Sequence, residues 1–158
     1  MIDVTNGGKR HTLATVSNSD VMPFSIKWFC AADVTSSVDC QSWESIASTF
    51  GAKANNTLLE VKPSSAQRET VYWPLAPPSS MALPKSSVTA AWDGNVTVLT
   101  ATDVAVLVFV SAEGCQPTRN NLVLFPGTPE RLTWQGNACD WATVKSTLTI
   151  QHARQYSE

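Results

Sequence analysis

Apolar and polar residues alternate over short stretches of this chain, and apolar residues three and four apart are scarce, so the pattern predicts strands rather than helices. In the first half the strands fall at residues 11–16, 24–30, 57–61 and 70–73, and residues 42–50 fit one short helical turn. In the second half they fall at 88–92, 96–100, 104–110, 122–125, 131–134 and 143–150. Clusters of Asn, Ser, Asp and Pro separate them, such as Ser17-Asn18-Ser19-Asp20 and Lys62-Pro63-Ser64-Ser65, which is turn chemistry. Asp93-Gly94, set between two alternating runs, is the strongest hairpin signal and predicts a type I′ turn. Short strands at this spacing predict an all-β, antiparallel sandwich.

Residues 74–84 hold four of the nine prolines, whose missing N–H groups exclude them from central strands. The chain therefore divides into a module at 1–76, a Pro-rich linker at 77–85 and a second module at 86–158, with a single fused sandwich as the alternative. At 158 residues either division gives each core enough chain.

Charge narrows the partners. Charged residues are 15% of the sequence and the net charge is −2 with both signs scattered, so no electropositive face is available for a nucleic acid. The nearly unbroken apolar run at 104–110 is far short of the roughly 20 residues that cross a bilayer, so it predicts a buried strand and no membrane partner. Met1 to Arg10 lack the apolar core of a secretory signal; an export signal is expected to have been removed or to lie ahead of Met1.

Four cysteines fall two in each half, Cys30 with Cys40 and Cys115 with Cys139, which invites pairing within each half; free buried cysteines are the alternative. Neither pair has metal-site spacing. Asn55-Asn56-Thr57 and Asn95-Val96-Thr97 fit the N-glycosylation pattern, with Asn55 and Asn95 as acceptors. Together these features point to an oxidising compartment, namely the secretory pathway with a lysosomal, vacuolar or extracellular destination.

Catalysis needs convergent groups, and candidates are few. His11 and His152 lack ligand-spaced partners and read as solvated side chains. Most acidic residues, among them Asp20, Asp33, Asp93, Asp103, Glu113, Glu130 and Asp140, lie in predicted turns, where capping explains them. The seven glycines form no nucleotide-binding pattern. No catalytic residue, metal ligand or cofactor is assigned. Six tryptophans are the unusual feature. Trp28, Trp92 and Trp134 lie in strand patterns and read as core or interface, whereas Trp43, Trp73 and Trp141 lie nearer loops and are the candidates for a sugar or domain contact.

The second half carries a longer signature. The run Asn95 to Val110 leads to Asn120-Asn121-Leu122-Val123-Leu124-Phe125-Pro126-Gly127 and then Arg131-Leu132-Thr133-Trp134. This resembles the carboxy-terminal immunoglobulin-like domain of β-mannosidases and related enzymes of glycoside hydrolase family two. Ser146 to Tyr156 looks like the chain end of the same family, and Tyr72-Trp73 with the proline spacer and Leu83-Pro84-Lys85 resembles the join between its two C-terminal sandwiches. His11 to Ser19 and Ile26-Lys27-Trp28 look like opening strands of the penultimate domain. The resemblance is closest over residues 88–156. It departs at Arg119-Asn120-Asn121, where an acidic residue usually accompanies Asn, and in a first module that is short of strands.

The resemblance implies two immunoglobulin-like modules in tandem. The family's catalytic glutamates belong to a β/α barrel that alone takes about 250 residues, so no family catalytic residue carries over. The resemblance therefore implies a non-catalytic accessory region whose partner is the catalytic barrel of a parent glycosidase. An independent carbohydrate-binding module for mannose-containing glycans and an immunoglobulin-like interaction domain are the alternatives, although the ten-residue step from Cys30 to Cys40 departs from antibody-type bridging.

Overall fold

The computed structural model describes residues 2–10, 51, 53–62, 69–137 and 139–156. The strands expected at 11–16 and 24–30 and the turn at 42–50 lie outside the described residues. The fold is an all-β, antiparallel sandwich. In the first half β1 (Ile2–Asp3), β2 (Lys9–Arg10), β3 (Thr57–Val61) and β4 (Val71–Pro74) form one sheet in the order β2-β1-β3-β4. Pro74 opposes Leu58 on the edge strand β4, where its missing N–H breaks no ladder. The β1–β2 hairpin carries no alternation long enough to be read from sequence. Its turn is fixed by the Asp3 carboxylate, which accepts from the Thr5 N–H and hydroxyl at 2.9 and 2.7 Å.

In the second half β5 (Val88–Asp93), β6 (Val96–Ala101) and β10 (Glu130–Leu132) form one sheet, and β7 (Ala105–Ser111), β9 (Leu122–Leu124) and β12 (Thr149–Gln151) another. The short strands β8 (Gln116–Pro117) and β11 (Trp134–Gln135) pair separately. Asp93 pairs with Val96, so the β5–β6 loop is Gly94-Asn95 rather than Asp93-Gly94. Gly94 has φ +56° while Asn95 keeps a negative φ, which is the type II′ arrangement with Gly first, not type I′.

The expected strand at 143–150 is instead α1 (Trp141–Thr147) followed by β12. The Asp140 carboxylate caps the helix by accepting the Thr143 N–H at 2.7 Å, which holds that carboxyl below its ordinary range, and Val144 is the buried residue of its inner face. The β-branched residues of the helix had favoured a strand; the cap and tertiary burial override them.

Two apolar clusters sit on opposite faces of the β12-β7-β9 sheet. One holds Leu99, Ala105, Val108, Val110, Leu122, Leu124 and Leu132, under the β5-β6-β10 sheet. The other gathers Ile2, Val4, Leu58, Met81 and Leu83 with Val104, Val106 and Phe125, and so runs across the proline tract. Burial on both faces explains why residues 104–110 are all apolar. The ladder between β7 and β9 slips by one residue between Ala105 and Val108, and Leu107 takes φ +51° in that bulge.

Candidate functional site

Among the described residues, three surfaces bring chemistry-bearing side chains together. The first is a groove of about 280 Å³ between β4 and β9, lined by Arg10, Tyr72, Arg119, Phe125 and Glu130 among others. Alternation along β4 turns Tyr72 inward, where its ring meets Phe125 at 5.6 Å and 54°. The Arg10 guanidinium lies 4.4 Å over the same Phe125 ring, a cation–π contact, and pairs with Glu60 at 3.3 Å. Burial, and then the negative charge of Glu60, push the Tyr72 hydroxyl above its ordinary value. Arg119 bridges Glu69, at 3.6 Å, and Glu130. Gly8 closes the floor: an added Cβ there would stand 2.7 Å from the Phe125 ring. Its carboxylates Glu60, Glu69 and Glu130 are thus paired to the guanidinium groups of Arg10 and Arg119.

The second is the outer face of β3 and β4. Leu59 opposes Trp73 and Val61 opposes Val71, so all four side chains share one face. Trp73 is 66% exposed there, and Val61 and Val71 are exposed with it. Of the three tryptophans expected at a contact surface, Trp73 is thus outward; Trp43 lies outside the described residues.

The third is the open end of the second sandwich. Trp141 opens α1 and meets Trp92 of β5 edge-on, with centroids 5.2 Å apart at 87°, and the Lys145 ammonium lies within 5.9 Å of both rings. Trp92 is 36% exposed rather than core, whereas Trp134 donates its indole N–H to the buried Thr97 hydroxyl at 2.8 Å. Asn95, at the hairpin tip beside this cluster, is exposed, and so is Asn55 in the 3₁₀ turn Ala54–Asn56.

Cys115 and Cys139 are disulfide-bonded, with Cα atoms 4.9 Å apart, and tie the β8 end to the start of α1. Cys30, Cys40, Trp28 and His11 lie outside the described residues. His152 is not solvated as its terminal position suggested. It is 6% exposed, and desolvation lowers its pKa below the ordinary value. It lines a shallow cavity of about 390 Å³ with Lys85, Ser86, Ser87 and Arg154. Among the described residues no three His, Cys, Asp or Glu side chains gather as a metal set, and no helix is long and apolar enough to cross a membrane.

Sequence reasoning missed Arg10, Tyr72 and Phe125 as partners, because the contacts join residues far apart in the chain. It also missed Asn120, whose side-chain amide accepts from the Val110 N–H at 2.9 Å and donates to the Val110 carbonyl at 2.8 Å. The departure at Arg119-Asn120-Asn121 was the one signal there.

No protein-family model matches the chain, and no curated protein does. Among solved structures the chain is similar to the crystal structure of β-D-mannosidase from Dictyoglomus thermophilum, at 18% identity and a TM-score of 0.43. The likeness covers 53% of this chain and 11% of that one, so this chain spans only a small part of that protein's length.

Proposed function

We propose that the chain is the non-catalytic accessory β-sandwich region of a β-mannosidase-like glycoside hydrolase, working beside a catalytic barrel on a longer polypeptide. The observation that carries this reading is Leu124-Phe125-Pro126-Gly127 followed by Arg131-Leu132-Thr133-Trp134, the signature by which the second half resembles that family. The signature residues have structural duties that suit a supporting role. Leu124 and Leu132 are buried in one cluster, Phe125 seats Arg10 and Tyr72 in the other, and Gly127 takes φ +71° in the turn between. The outward face of Leu59, Val61, Val71 and Trp73 gives the barrel an apolar surface to cover. A disulfide fits an oxidising compartment, hence the secretory pathway and a lysosomal, vacuolar or extracellular setting. The division into immunoglobulin-like modules at 1–76 and 86–158, joined by 77–85, belongs to the same reading.

Mapping the native transcript ahead of the Met1 codon tests it. An in-frame continuation encoding a β/α barrel of about 250 residues is expected. A transcript that starts at that codon, together with a native protein of the mass of this chain alone, would reject the reading.

A second reading, an independent module for mannose-containing glycans, is favoured by the exposure of Trp73. Titrating manno-oligosaccharides into the isolated chain while following tryptophan emission separates the two. Saturable change that Trp73→Ala abolishes supports the module, and a flat response into the millimolar range removes it.

A further inference from the structure

The hairpin Trp92-Asp93-Gly94-Asn95-Val96-Thr97 sets a glycosylation acceptor three residues after an indole and two residues before a threonine. In the folded hairpin these are not merely neighbours in sequence. Trp92 and Thr97 are cross-strand partners, so their side chains share one face of the β5–β6 ladder. Asn95, the second residue of the two-residue turn, stands at the exposed tip directly beyond the Asp93↔Val96 pair, which adjoins Trp92↔Thr97. Trp141 meets Trp92 edge-on at 5.2 Å, and the Lys145 ammonium lies within 5.9 Å of both rings. Even so, about a third of Trp92 stays open to solvent at the end of the sandwich where Asn95 sits.

We propose that Asn95 carries an N-linked glycan and that Trp92, braced by Trp141, is the seat of its first N-acetylglucosamine. An indole face buries the C–H face of a pyranose ring while leaving the hydroxyl groups in water, so the amphipathic sugar and the half-exposed ring suit each other. In the attachment step the Asn95 side-chain nitrogen displaces the diphosphate of a lipid-linked oligosaccharide at the anomeric carbon. The carbon–oxygen bond to the diphosphate breaks, the nitrogen–carbon bond forms, the amide proton leaves to solvent and the lipid diphosphate departs with the bonding electrons. Thr97 is fully buried and its hydroxyl accepts the Trp134 N–H, so transfer precedes closure of this hairpin. Asn55 is also exposed, but it follows Lys53-Ala54 and has no aromatic residue in the equivalent place.

The test uses the whole chain, secreted from a glycosylating eukaryotic host with Asn55→Gln so that one acceptor remains, and trimmed to a single N-acetylglucosamine. Peptide mapping is expected to find Asn95 occupied, and the sugar's N-acetyl methyl resonance is expected upfield of its position in free N-acetylglucosamine through the indole ring current. The same chain made with glycan attachment blocked in the host, so that Asn95 stays intact, should melt roughly 2–4 °C lower, and in a Trp92→Ala background less than about 1 °C lower. An unoccupied Asn95, a methyl resonance at the free-sugar position, or equal losses in both backgrounds overturns the proposal. The resonance is read in the chain with Trp92 intact, so it decides even where Trp92→Ala fails to fold.

Discussion

Replacing Asn120 by alanine removes a side chain that stands in for a strand residue. The Val108↔Leu122 pairing, continued along β7, would set Asn120 opposite Val110, but Asn121 takes φ +56° and turns the backbone out of the ladder. The Asn120 amide then supplies both missing bonds, to the Val110 N–H at 2.9 Å and its carbonyl at 2.8 Å, in the same two-way manner as a backbone pair. Val110 is 1% exposed, and a buried backbone group left without a partner costs about 1–3 kcal/mol. Asn120 itself is exposed, so water reaches part of the gap and the lower figure applies to each bond, giving about 2 kcal/mol for Asn120→Ala. For a chain of this length that lowers the melting temperature by roughly 4–8 °C. Asn120→Asp keeps the acceptor for the Val110 N–H but turns a charged oxygen toward the Val110 carbonyl, so at neutral pH it should lose at least half as much. Thermal unfolding gives the first number, and native-state hydrogen exchange localises it, with the Val110 amide exchanging faster in the alanine variant. A melting temperature within about a degree of the parent, or unchanged protection at Val110, would refute the assignment.

Three other outcomes are expected. The Cys115–Cys139 bridge closes a sequence separation of 24, so Cys115→Ser with Cys139→Ser should cost roughly 3 kcal/mol, read as a lower urea midpoint. Gly136→Ala should cost about 1–3 kcal/mol in the same assay, because φ is +146° there and the new Cβ would stand 2.7 Å from the Gly114 carbonyl oxygen. Because burial lowers the folded-state pKa of His152, the unfolded chain takes up the proton first. Stability should therefore hold above the ordinary histidine pKa of about 6.5 and fall below it by no more than about 1.4 kcal/mol per pH unit until the folded-state pKa is passed. His152→Gln should flatten that part of the profile in pH-dependent urea denaturation.

The strands that could be read from sequence are those where one face is apolar and the other polar, such as β6, whose buried Thr97, Leu99 and Ala101 alternate with less buried neighbours. Where both faces are apolar the pattern gives a strand but no orientation. Val71-Tyr72-Trp73 is the example: pairing in register, not composition, sends Tyr72 to Phe125 and leaves Trp73 outside. The helix was hidden by its own Thr and Val residues, although Asp140 ahead of Trp141, with Val144 three residues on, was a readable start. The groove was not readable at all. Arg10 finds Glu60 only when β2 and β3 both pair with β1, Tyr72 finds Phe125 only after the sheets have stacked, and no local spacing encodes such contacts.

The bulge at Leu107 ties the two halves together more firmly than the proline tract suggests. Before it, Val104 and Val106 enter the cluster shared with Ile2 and Leu58 while Ala105 faces the other; after it, Val108 and Val110 face the cluster of Leu99 and Leu132. One inserted residue therefore exchanges the two faces of a single strand, as a one-residue slip must. Were all seven residues to run in unbroken alternation without the bulge, Val108 and Val110 would leave the second cluster and the exposed Phe109 would point into it. On β9 the alternation is unbroken, with Leu122 and Leu124 in one cluster and Phe125, at its end, in the other. Leu124 and Phe125, adjacent in the chain, therefore join the two clusters at this one point, Leu124 packing with Leu99 and Leu132 on one face and Phe125 with Ile2 and Leu58 on the other.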